Sequence, residues 1–259
     1  MSTNQTHITT TRRNTLRGAA AVLTAGSIAL AAGATTASAA THPTALAGSV
    51  HAASKVSHPL LRLGSHGSAV KALQARLTQL GYVSGGADGW YGDLTRQAVM
   101  AVQKVAGLER DGIAGPHTWA TIDAGVRPKA RTTRGHVIEV DKATQTLRVV
   151  DNGRVTWTIN ASTGSGKRYT STWKGEKHTS VAITPDADNL VFRSVRGWDN
   201  GPLGELYAPM YFKGGIAVHG LQSVPAHAAS HGCVRVSIPA MDFLRNKGLI
   251  KVGTRVLVR

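Results

Sequence analysis

The sequence is short of cysteine and of acidic residues. Cys233 is the only cysteine among 259 residues, which excludes an intramolecular disulfide framework. Only 14 acids oppose 30 lysines and arginines, so the formal net charge is +16. This excess of positive charge predicts a polyanionic partner: nucleic acid, anionic lipid or an acidic extracellular polymer.

Long apolar runs are also scarce, and the one that exists lies near the N-terminus. Arg12-Arg13 precede an alanine-rich apolar run from Ala19 to Ala32, and Ala37 and Ala39 supply the small side chains of an A-x-A cleavage site. We interpret residues 1–39 as a bacterial export signal of twin-arginine type. A transmembrane anchor is the alternative, but the run is shorter than the ~20 apolar residues that cross a bilayer. No other stretch is long and apolar enough to span, so we expect no stable membrane span after cleavage.

Export narrows the choice of partner. Removing residues 1–39 takes away three arginines and no acid, so the formal charge falls only from +16 to +13. The remaining basic residues are scattered, and an exported protein leaves nucleic acid behind. We therefore expect no nucleic-acid partner and predict contact with anionic cell-wall polymers in the cell wall or outside the cell. Cys233 is then an unpaired thiol in an oxidising compartment, which suggests a functional reason for keeping it.

The mature chain is predicted to contain two domains. Residues 40–58 are small, polar and aperiodic, as expected of a flexible linker. Residues 59–123 show helical periodicity, residues 124–133 are charged and aperiodic like a second linker, and residues 134–259 change to a period of two. The fold class is therefore α+β, with a small three-helix domain followed by a mostly-β domain.

Three short helices are predicted in the first domain. The first is expected to end at Gly81, the second to begin with Asp93 as a side-chain cap and end before Gly107, and the third to open with Pro116. Their apolar faces are Val70, Leu73, Leu77 and Leu80; Ala98, Val102 and Val105; and Trp119 and Ile122. The pattern is that of three short helices around a small core.

A repeated turn motif connects these helices. The strings "DGWYG" at 88–92 and "DGIAG" at 111–115 each precede a helix, and their glycines suit tight turns with positive φ. Together with "LQARLTQLGY", they resemble the peptidoglycan-binding helical domain found beside many wall enzymes. The alternative is a helical spacer without a ligand. Trp90 and Tyr91 either offer a flat face to a sugar ring or cover the small core.

Strands dominate the second domain. "HVIEV", "TLRVV" and "RVTWTIN" are predicted strands, and the last two form a hairpin through Asp151-Asn152-Gly153. Further strands are predicted at 190–193, 216–218 and 255–258. One helix is predicted at 239–247, with Ser237 as its cap and Gly248 at its end.

The stretch "HGLQSVPAHAASHGCVR", residues 219–235, carries the chemistry. A neutral thiol is only a few per cent ionised at pH 7, and an imidazole is the usual base that keeps such a sulfur ionised. His219 follows the apolar strand "IAV" and precedes Cys233 by fourteen residues, enough for a loop that returns to the same place. Gly232 allows close backbone approach, and consecutive N–H groups beside it can receive negative charge.

These residues resemble the signature of the L,D-transpeptidases, cysteine enzymes that cross-link peptidoglycan through a YkuD-type domain. The resemblance spans about residues 134–259 and rests on "HG" followed by "SHGCVR", with "STG" at 162–164 and "LGELYAPMYFKGGIAVHG" at 203–220. It implies that Cys233 is the nucleophile and that His219 accepts and returns the proton. It also implies that Gly220 helps to orient the imidazole through its main chain.

The resemblance assigns further residues to the site. It implies that the backbone N–H groups of His231, Gly232 and Cys233 form an oxyanion hole. Substrate contacts are implied for Arg235, Ser230, Gly214, Gly215, Tyr207 and Tyr211. Two departures stand out: the loop between His219 and Ser230 holds only ten residues, and "TPDADN" at 184–189 replaces the usual T-P-T-G turn.

The implied reaction transfers an acyl group from a tetrapeptide stem to the amine of a neighbouring stem, giving a 3→3 cross-link, and needs no metal or organic cofactor. Water as acceptor would make the protein an L,D-carboxypeptidase, and a protein amine is a third acceptor. A non-catalytic wall-binding protein is the alternative outside the enzyme class. The expected partners are therefore peptidoglycan stem peptides and glycan.

Several residues have alternative interpretations. His219, His227, His231 and Cys233 are possible zinc ligands, although their spacing matches no recognised pattern. Cys233 could instead be an inert buried residue, and Arg235 could pair with an acid of its own domain. His227 alone is expected to be a solvated loop residue.

Overall fold

A computed structural model describes residues 57–173 and 175–259. The predicted export signal and nearly all of the first linker lie outside the described residues. The helices are α1 (Ser68–Gln79), α2 (Asp93–Ala106), α3 (Pro116–Asp123) and α4 (Ile238–Asn246). The strands are β1 (His136–Asp141), β2 (Thr146–Asp151), β3 (Arg154–Asn160), β4 (Arg168–Trp173), β5 (Glu176–Val181), β6 (Ala187–Leu190), β7 (Arg193–Ser194), β8 (Trp198–Gly201), β9 (Gly204–Lys213), β10 (Ile216–Leu221), β11 (Val234–Ser237) and β12 (Arg255–Val258). No helix within these residues is long and apolar enough to cross a membrane.

The three predicted helices of the first domain are present and pack around one small core. Its members come from all three helices and from the segments before and between them: Leu61, Val70, Leu73, Leu77, Leu80, Tyr82, Tyr91, Ala98, Val99, Ala101, Val102, Ala114, Trp119 and Ile122. One detail differs from expectation. Asp93 is the first residue of α2 rather than its cap, because Gly92 occupies the cap position and the Asp93 carboxylate instead pairs with Arg96 at 2.6 Å.

The two D-G-x-x-G turns are built in the same way. Gln74 Nε2 donates to Asp88 Oδ1 at 2.7 Å, and Gln103 Nε2 donates to Asp111 Oδ1 at 2.6 Å. In each turn the N–H of the glycine after the aspartate donates back to the glutamine Oε1. A buried glutamine therefore fixes each turn to the helix before it, which explains why the D-G-x-x-G motif occurs twice in the sequence.

The two aromatic residues of the first turn have different roles. Tyr91 is fully buried, and its hydroxyl donates to Gly112 O at 2.8 Å. Trp90 is 56% exposed and lies against the ring of His66. Tyr91 therefore covers the core, whereas Trp90 presents a flat face to solvent.

The second domain is a sandwich of two sheets with one shared core. The first sheet has the strand order β3-β2-β1-β12-β6, and the second has β11-β10-β9-β7 with β8 on β9. Strands β1 and β12 are parallel, as are β10 and β11. Apolar residues of both sheets and of α4, including Ile138, Leu147, Phe212, Val234 and Met241, fill the space between them. The fold is the α+β arrangement expected from the sequence.

Most predicted elements of this domain are confirmed. Asn152 and Gly153 both have positive φ in the β2–β3 turn, and Ser237 caps α4 by accepting from Ala240 N. The strand predicted at 190–193 is wrong, because the chain leaves one sheet after Leu190 and joins the other at Arg193. Strands β4, β5, β8 and β9 were not predicted.

The helical domain packs against the first sheet at the edge formed by strand β3. Thr158 N in β3 donates to Gly81 O at 2.7 Å, and Val83 N donates to Thr158 O at 3.3 Å. A side chain at Gly81 would place its Cβ 2.4 Å from Thr156 O, so only glycine fits there. The predicted linker at 124–133 lies against this sheet too, where Arg127 donates to Val155 O. Pairing with residues 81–83 covers an edge strand that would otherwise offer unpaired backbone groups.

Candidate active site

One cavity of ≈ 560 Å³ collects almost all the predicted site residues. It is lined by Cys233, His219, His231, Gly232, Ser230, Arg235, Gly215 and Tyr211. Two predicted residues do not line it. The hydroxyl of Tyr207 donates to Asp242 at 2.9 Å, and Gly214 lies in the exposed turn between β9 and β10.

The thiol and the imidazole are brought together by two parallel strands. Val218 in β10 pairs with Val234 in β11, and Cys233 immediately precedes β11. His219 pairs in register with Arg235, and its side chain and that of Cys233 face the same cavity. Fourteen residues of separation in sequence therefore become a neighbouring position in space.

The surroundings of His219 define its tautomer. His219 Nδ1 lies 3.0 Å from Gly220 O, and because a carbonyl only accepts, Nδ1 must carry the proton. In the neutral ring Nε2 is then the free acceptor. The pKa of His219 is lowered to about 4, mainly by burial; the hydrogen bond to the Gly220 carbonyl opposes this shift, and the positive charge of Arg235 adds to it.

The surroundings of Cys233 favour the neutral thiol. Burial raises the pKa of Cys233, while the backbone N–H of Ala217 and the charge of Arg235 lower it. The sulfur lies 3.6 Å from Gly215 O, which accepts from the S–H group. Burial therefore disfavours both the thiolate of Cys233 and the imidazolium of His219.

Arg193 and Arg235 both line the cavity, but only Arg193 is paired with an acid among the described residues. The side chain of Arg235 donates to Ala229 O at 3.1 Å, its Nε has no hydrogen-bond partner, and within residues 57–173 and 175–259 it forms no ion pair. The alternative of a pairing with an acid of its own domain is therefore wrong for the described chain. Burial lowers the pKa of this guanidinium, and Cys233 opposes that shift. A half-buried cation without a counter-ion is suited to a substrate carboxylate.

The loop of residues 230–233, called the thiol loop, is held by the side chain of Ser230. The Ser230 hydroxyl donates to Cys233 O at 2.6 Å and accepts from Gly232 N at 3.0 Å. The N–H of Gly232 is therefore already engaged, which differs from the oxyanion-hole role expected for it. Gly232 has a φ of +148°, and a Cβ there would meet Ile183 O and Ile216 Cδ1 at 3.1 Å. The tight approach explains the glycine on packing grounds.

The "STG" segment, residues 162–164, is hydrogen-bonded through its backbone to the residues on either side of this loop. Ser162 and Arg235 exchange two backbone hydrogen bonds of 2.9 Å, and Thr163 O accepts from Ala229 N and Ser230 N. A Cβ on Gly164 would lie 2.3 Å from Ala182 O, so the backbones meet too closely for any side chain. The segment is a rigid backing for the thiol loop.

The cavity also contains residues that the sequence did not single out. Tyr169 from the β4–β5 hairpin packs edge-on against His231, with ring centroids 4.7 Å apart. Arg193 lies over the ring of Tyr211 and pairs with Asp199, which accepts from the Tyr211 hydroxyl at 2.8 Å. The β8–β9 hairpin forms the rest of the wall with Asn200, Gly201, Pro202, Leu203, Gly204, Glu205 and Leu206. Exposed, polar strands give no periodic signal that would have revealed them.

The zinc alternative receives no geometric support from the described residues. No group of three or more His, Cys, Asp or Glu side chains in residues 57–173 and 175–259 is placed to hold a metal ion. His227 is exposed, as expected of a loop residue.

Comparisons with known proteins agree with this architecture. The model of a peptidoglycan binding domain matches residues 66–122, and the model of the L,D-transpeptidase catalytic domain (YkuD) matches residues 135–258. The crystal structure of an L,D-transpeptidase from Xylanimonas cellulosilytica is 48% identical, covers 77% of this chain and 97% of that chain, and superposes with a TM-score of 0.72.

Two curated relatives extend the comparison. An uncharacterised protein of Kitasatospora aureofaciens is 44% identical over 108 residues, which cover 40% of this chain and 88% of that protein. A probable N-acetylmuramoyl-L-alanine amidase of Bacillus licheniformis is 48% identical over 66 residues, or 25% of this chain, and the match spans only 19% of the amidase. The chain belongs to the L,D-transpeptidase family, with a YkuD-type catalytic domain that follows a peptidoglycan-binding domain.

Proposed function

We propose that this enzyme forms 3→3 cross-links in peptidoglycan through a thioester on Cys233. The observation that carries the proposal is the shared cavity of Cys233, His219 and the unpaired Arg235. The donor is a tetrapeptide stem, and the acceptor is the side-chain amine of the diamino acid in a neighbouring stem. Both substrates follow from the family resemblance.

Acylation begins from a neutral thiol and a neutral imidazole. Cys233 Sγ attacks the carbonyl carbon of the third stem residue while its proton moves to His219 Nε2. Transfer and attack occur together, because thiolate and imidazolium are each disfavoured in this buried cavity. The Nδ1–H bond to Gly220 O keeps the ring oriented for this step. Collapse of the tetrahedral intermediate breaks the peptide bond, and D-alanine leaves with the proton from His219.

Deacylation reverses the proton movements. The acceptor amine attacks the thioester carbonyl, His219 takes a proton from the amine, and Cys233 leaves as a thiol. The guanidinium of Arg235 is suited to the terminal carboxylate of the donor stem. The backbone N–H groups of His231 and Cys233 remain the proposed oxyanion donors, since that of Gly232 is engaged by Ser230. All roles use side chains and main-chain groups of the chain itself.

We further propose that the enzyme works outside the cytoplasm. A twin-arginine signal at residues 1–39 would direct export, residues 40–58 would act as a tether, and the helical domain would retain the enzyme at the wall. The mature charge of +13 adds attraction to anionic wall polymers.

Incubation of the mature protein with tetrapeptide muropeptides tests the reaction. We expect cross-linked dimers by mass spectrometry, and an acyl adduct on Cys233 in the intact mass. Cys233→Ala is the matched control and should give neither. Monomeric tripeptide without dimer would identify an L,D-carboxypeptidase. If the tetrapeptide substrate is not consumed and the intact mass of the protein does not change, the result would support a wall-binding protein without catalysis.

A further inference from the structure

Helix α2 of the helical domain has a second buried face that meets the catalytic domain. Leu94, Gln97 and Lys104 follow one another at spacings of three and seven residues, so they share one side of the helix. Leu94 packs against the core of the catalytic domain, and Gln97 and Lys104 are almost completely buried. Burying a lysine is costly, so its contacts need a specific explanation.

Lys104 donates to main-chain oxygens of the catalytic domain, and among the residues that the structure describes it forms no ion pair. Its Nζ donates to Gln145 O at 2.8 Å and to Ala161 O at 2.9 Å, and the side chain is 1% exposed. The pKa of Lys104 is lowered to about 7, mainly by burial and also by the nearby charge of Arg110. A neutral amine has two N–H bonds, which match the two carbonyl acceptors.

Gln145 carries this contact toward the thiol loop. It holds a positive φ of 57°, which is uncommon for a residue other than glycine. Its Nε2 donates to Thr163 Oγ1 at 2.7 Å, and its Oε1 accepts from Thr163 N at 2.8 Å. Thr163 O in turn accepts from Ser230 N, and the Ser230 hydroxyl donates to Cys233 O. The lysine of one domain is therefore three hydrogen-bonded residues away from the nucleophile of the other.

Gln97 reaches the second segment of the site, residues 220–229, which comprise the end of β10 and the connection to Ser230 and are called the 220–229 loop. Gln97 Nε2 donates to Val224 O at 3.1 Å, and its Oε1 accepts from Asn160 Nδ2. Arg110, which follows α2, donates to Ala226 O at 3.4 Å. Two carbonyls of this short loop are thus held from the helical domain.

We propose that α2 is a positioning element of the catalytic site, in which Lys104 and Gln97 set where the thiol loop and the 220–229 loop lie. The helical domain then contributes to turnover as well as to wall binding. The proposal rests on Cys233 as the nucleophile of the proposed function. A displacement of about 1 Å at a reacting group can cost ~10²-fold in rate, so small shifts of these loops are sufficient.

The test uses the mature chain with three substitutions. Lys104→Met removes both donors at nearly constant length, and Gln97→Glu removes the donor to Val224 O while keeping an acceptor for Asn160. Gln74→Met is the matched control, because Gln74 is equally buried and its side-chain contacts lie within the helical domain. The measurements are kcat and KM for tetrapeptide donor, the alkylation rate of Cys233, the melting temperature, and retention on insoluble peptidoglycan.

We expect Lys104→Met and Gln97→Glu to lower kcat by about 10- to 100-fold while KM and wall retention change little. The alkylation rate of Cys233 should also change in Lys104→Met and Gln97→Glu. Gln74→Met should lower the melting temperature without lowering kcat at temperatures where the protein is folded. Rates that fall only in proportion to the unfolded fraction, or equal kcat values in all three variants, would overturn the proposal.

The outcome is separable from that of the proposed function. If the wild-type protein forms no acyl adduct, the proposed function fails, and positioning is judged from the alkylation rate alone. An unchanged alkylation rate in Lys104→Met and Gln97→Glu then overturns the positioning role as well. If Lys104→Met does not fold, Gln97→Glu decides.

Discussion

The hydroxyl of Thr184 donates a hydrogen bond of 2.7 Å to the carbonyl of Gly232, 48 residues further along the chain. The hydroxyl oxygen of Thr184 also accepts a hydrogen bond of 2.8 Å from Gly164 N. One buried side chain therefore joins the "TPDADN" turn, the "STG" segment and the loop that ends in Cys233. The turn that departs from the family pattern keeps its threonine where this link requires it.

Thr184→Val should destabilise the protein and slow acylation. The change leaves Gly164 N and Gly232 O buried without a partner, which costs ~1–3 kcal/mol per group. Urea denaturation and single-turnover acylation measure the two effects. Thr184→Ser keeps the hydroxyl and should stay near the wild type in acylation. Equal acylation rates in the two variants would exclude a role for this hydrogen bond in the reaction.

His219 and His227 should differ sharply in their effect on the rate although they are close in sequence. His219→Ala removes the base and should lower kcat/KM by ~10²–10⁴-fold. The side chain of His227 is exposed, and only its carbonyl is engaged, by Ser162 Oγ at 2.8 Å. His227→Ala should therefore leave the rate almost unchanged. Steady-state assays on both variants decide, and comparable losses would contradict the assignment of the base.

The acidic limb of the pH profile should lie near pH 4 in the wild type, because burial lowers the pKa of His219 to about 4. Arg235→Gln removes a positive charge that lowers this pKa, so the limb of kcat/KM should move to higher pH. Arg235→Lys keeps the charge and serves as control. A wild-type limb at the ordinary imidazole pKa of 6.5 would show that the ring is more solvated during catalysis.

Lys104 should make stability rise with pH in the alkaline range. The unfolded lysine has a pKa of 10.5 and the folded one a pKa of about 7, so between these values the unfolded chain binds more protons. Stability then increases as pH rises from about 7 toward 10.5, and the cost of burying the charge is fully present below that window. The difference in free energy of unfolding between the wild type and Lys104→Met, measured along this range, should rise with pH. A flat difference would contradict the lowered pKa.

Wall binding should weaken as salt rises. The mature charge of +13 is spread over the surface, and exposed charges are screened beyond ~10 Å at 0.1 M salt. Retention on intact wall material at ~0.05 M and ~0.5 M salt measures the effect. Wall material stripped of anionic polymers is the control and should show little salt dependence. Retention that ignores salt on both materials would remove charge as the cause.

Local patterns predicted the elements that are rich in buried apolar residues. Helix α2 and strands β1 to β3 have apolar residues at the expected periods, and Asn152-Gly153 is a strong hairpin signal. The β4–β5 hairpin was missed because β5 is exposed along its whole length and therefore has no apolar alternation. Strand β9 was missed because Pro209 interrupts its pattern and Ala208 adopts a positive φ of 50°.

The candidate site also contains some residues that the sequence could select and others that only the structure reveals. Cys233, His219 and Arg235 lie within one recognisable string, so residue type and spacing were sufficient to select them. Asp199 and Tyr169 reach the cavity from strands far away in sequence, and no local pattern indicates that destination. The proton states were also out of reach, because burial determines them and burial depends on the whole fold.

The amino-acid sequence by itself determined the two-domain order, the choice of Cys233 and His219 as the proposed nucleophile and base, and the turns that glycine makes possible. These features depend on residue type and short spacing, which are local properties. Tertiary structure alone decided that burial disfavours both thiolate and imidazolium, that Ser230 accepts from the N–H of Gly232, and that Lys104 is buried against the catalytic domain. Those features arise when surfaces far apart in the chain exclude water from one another, and no single segment contains that information.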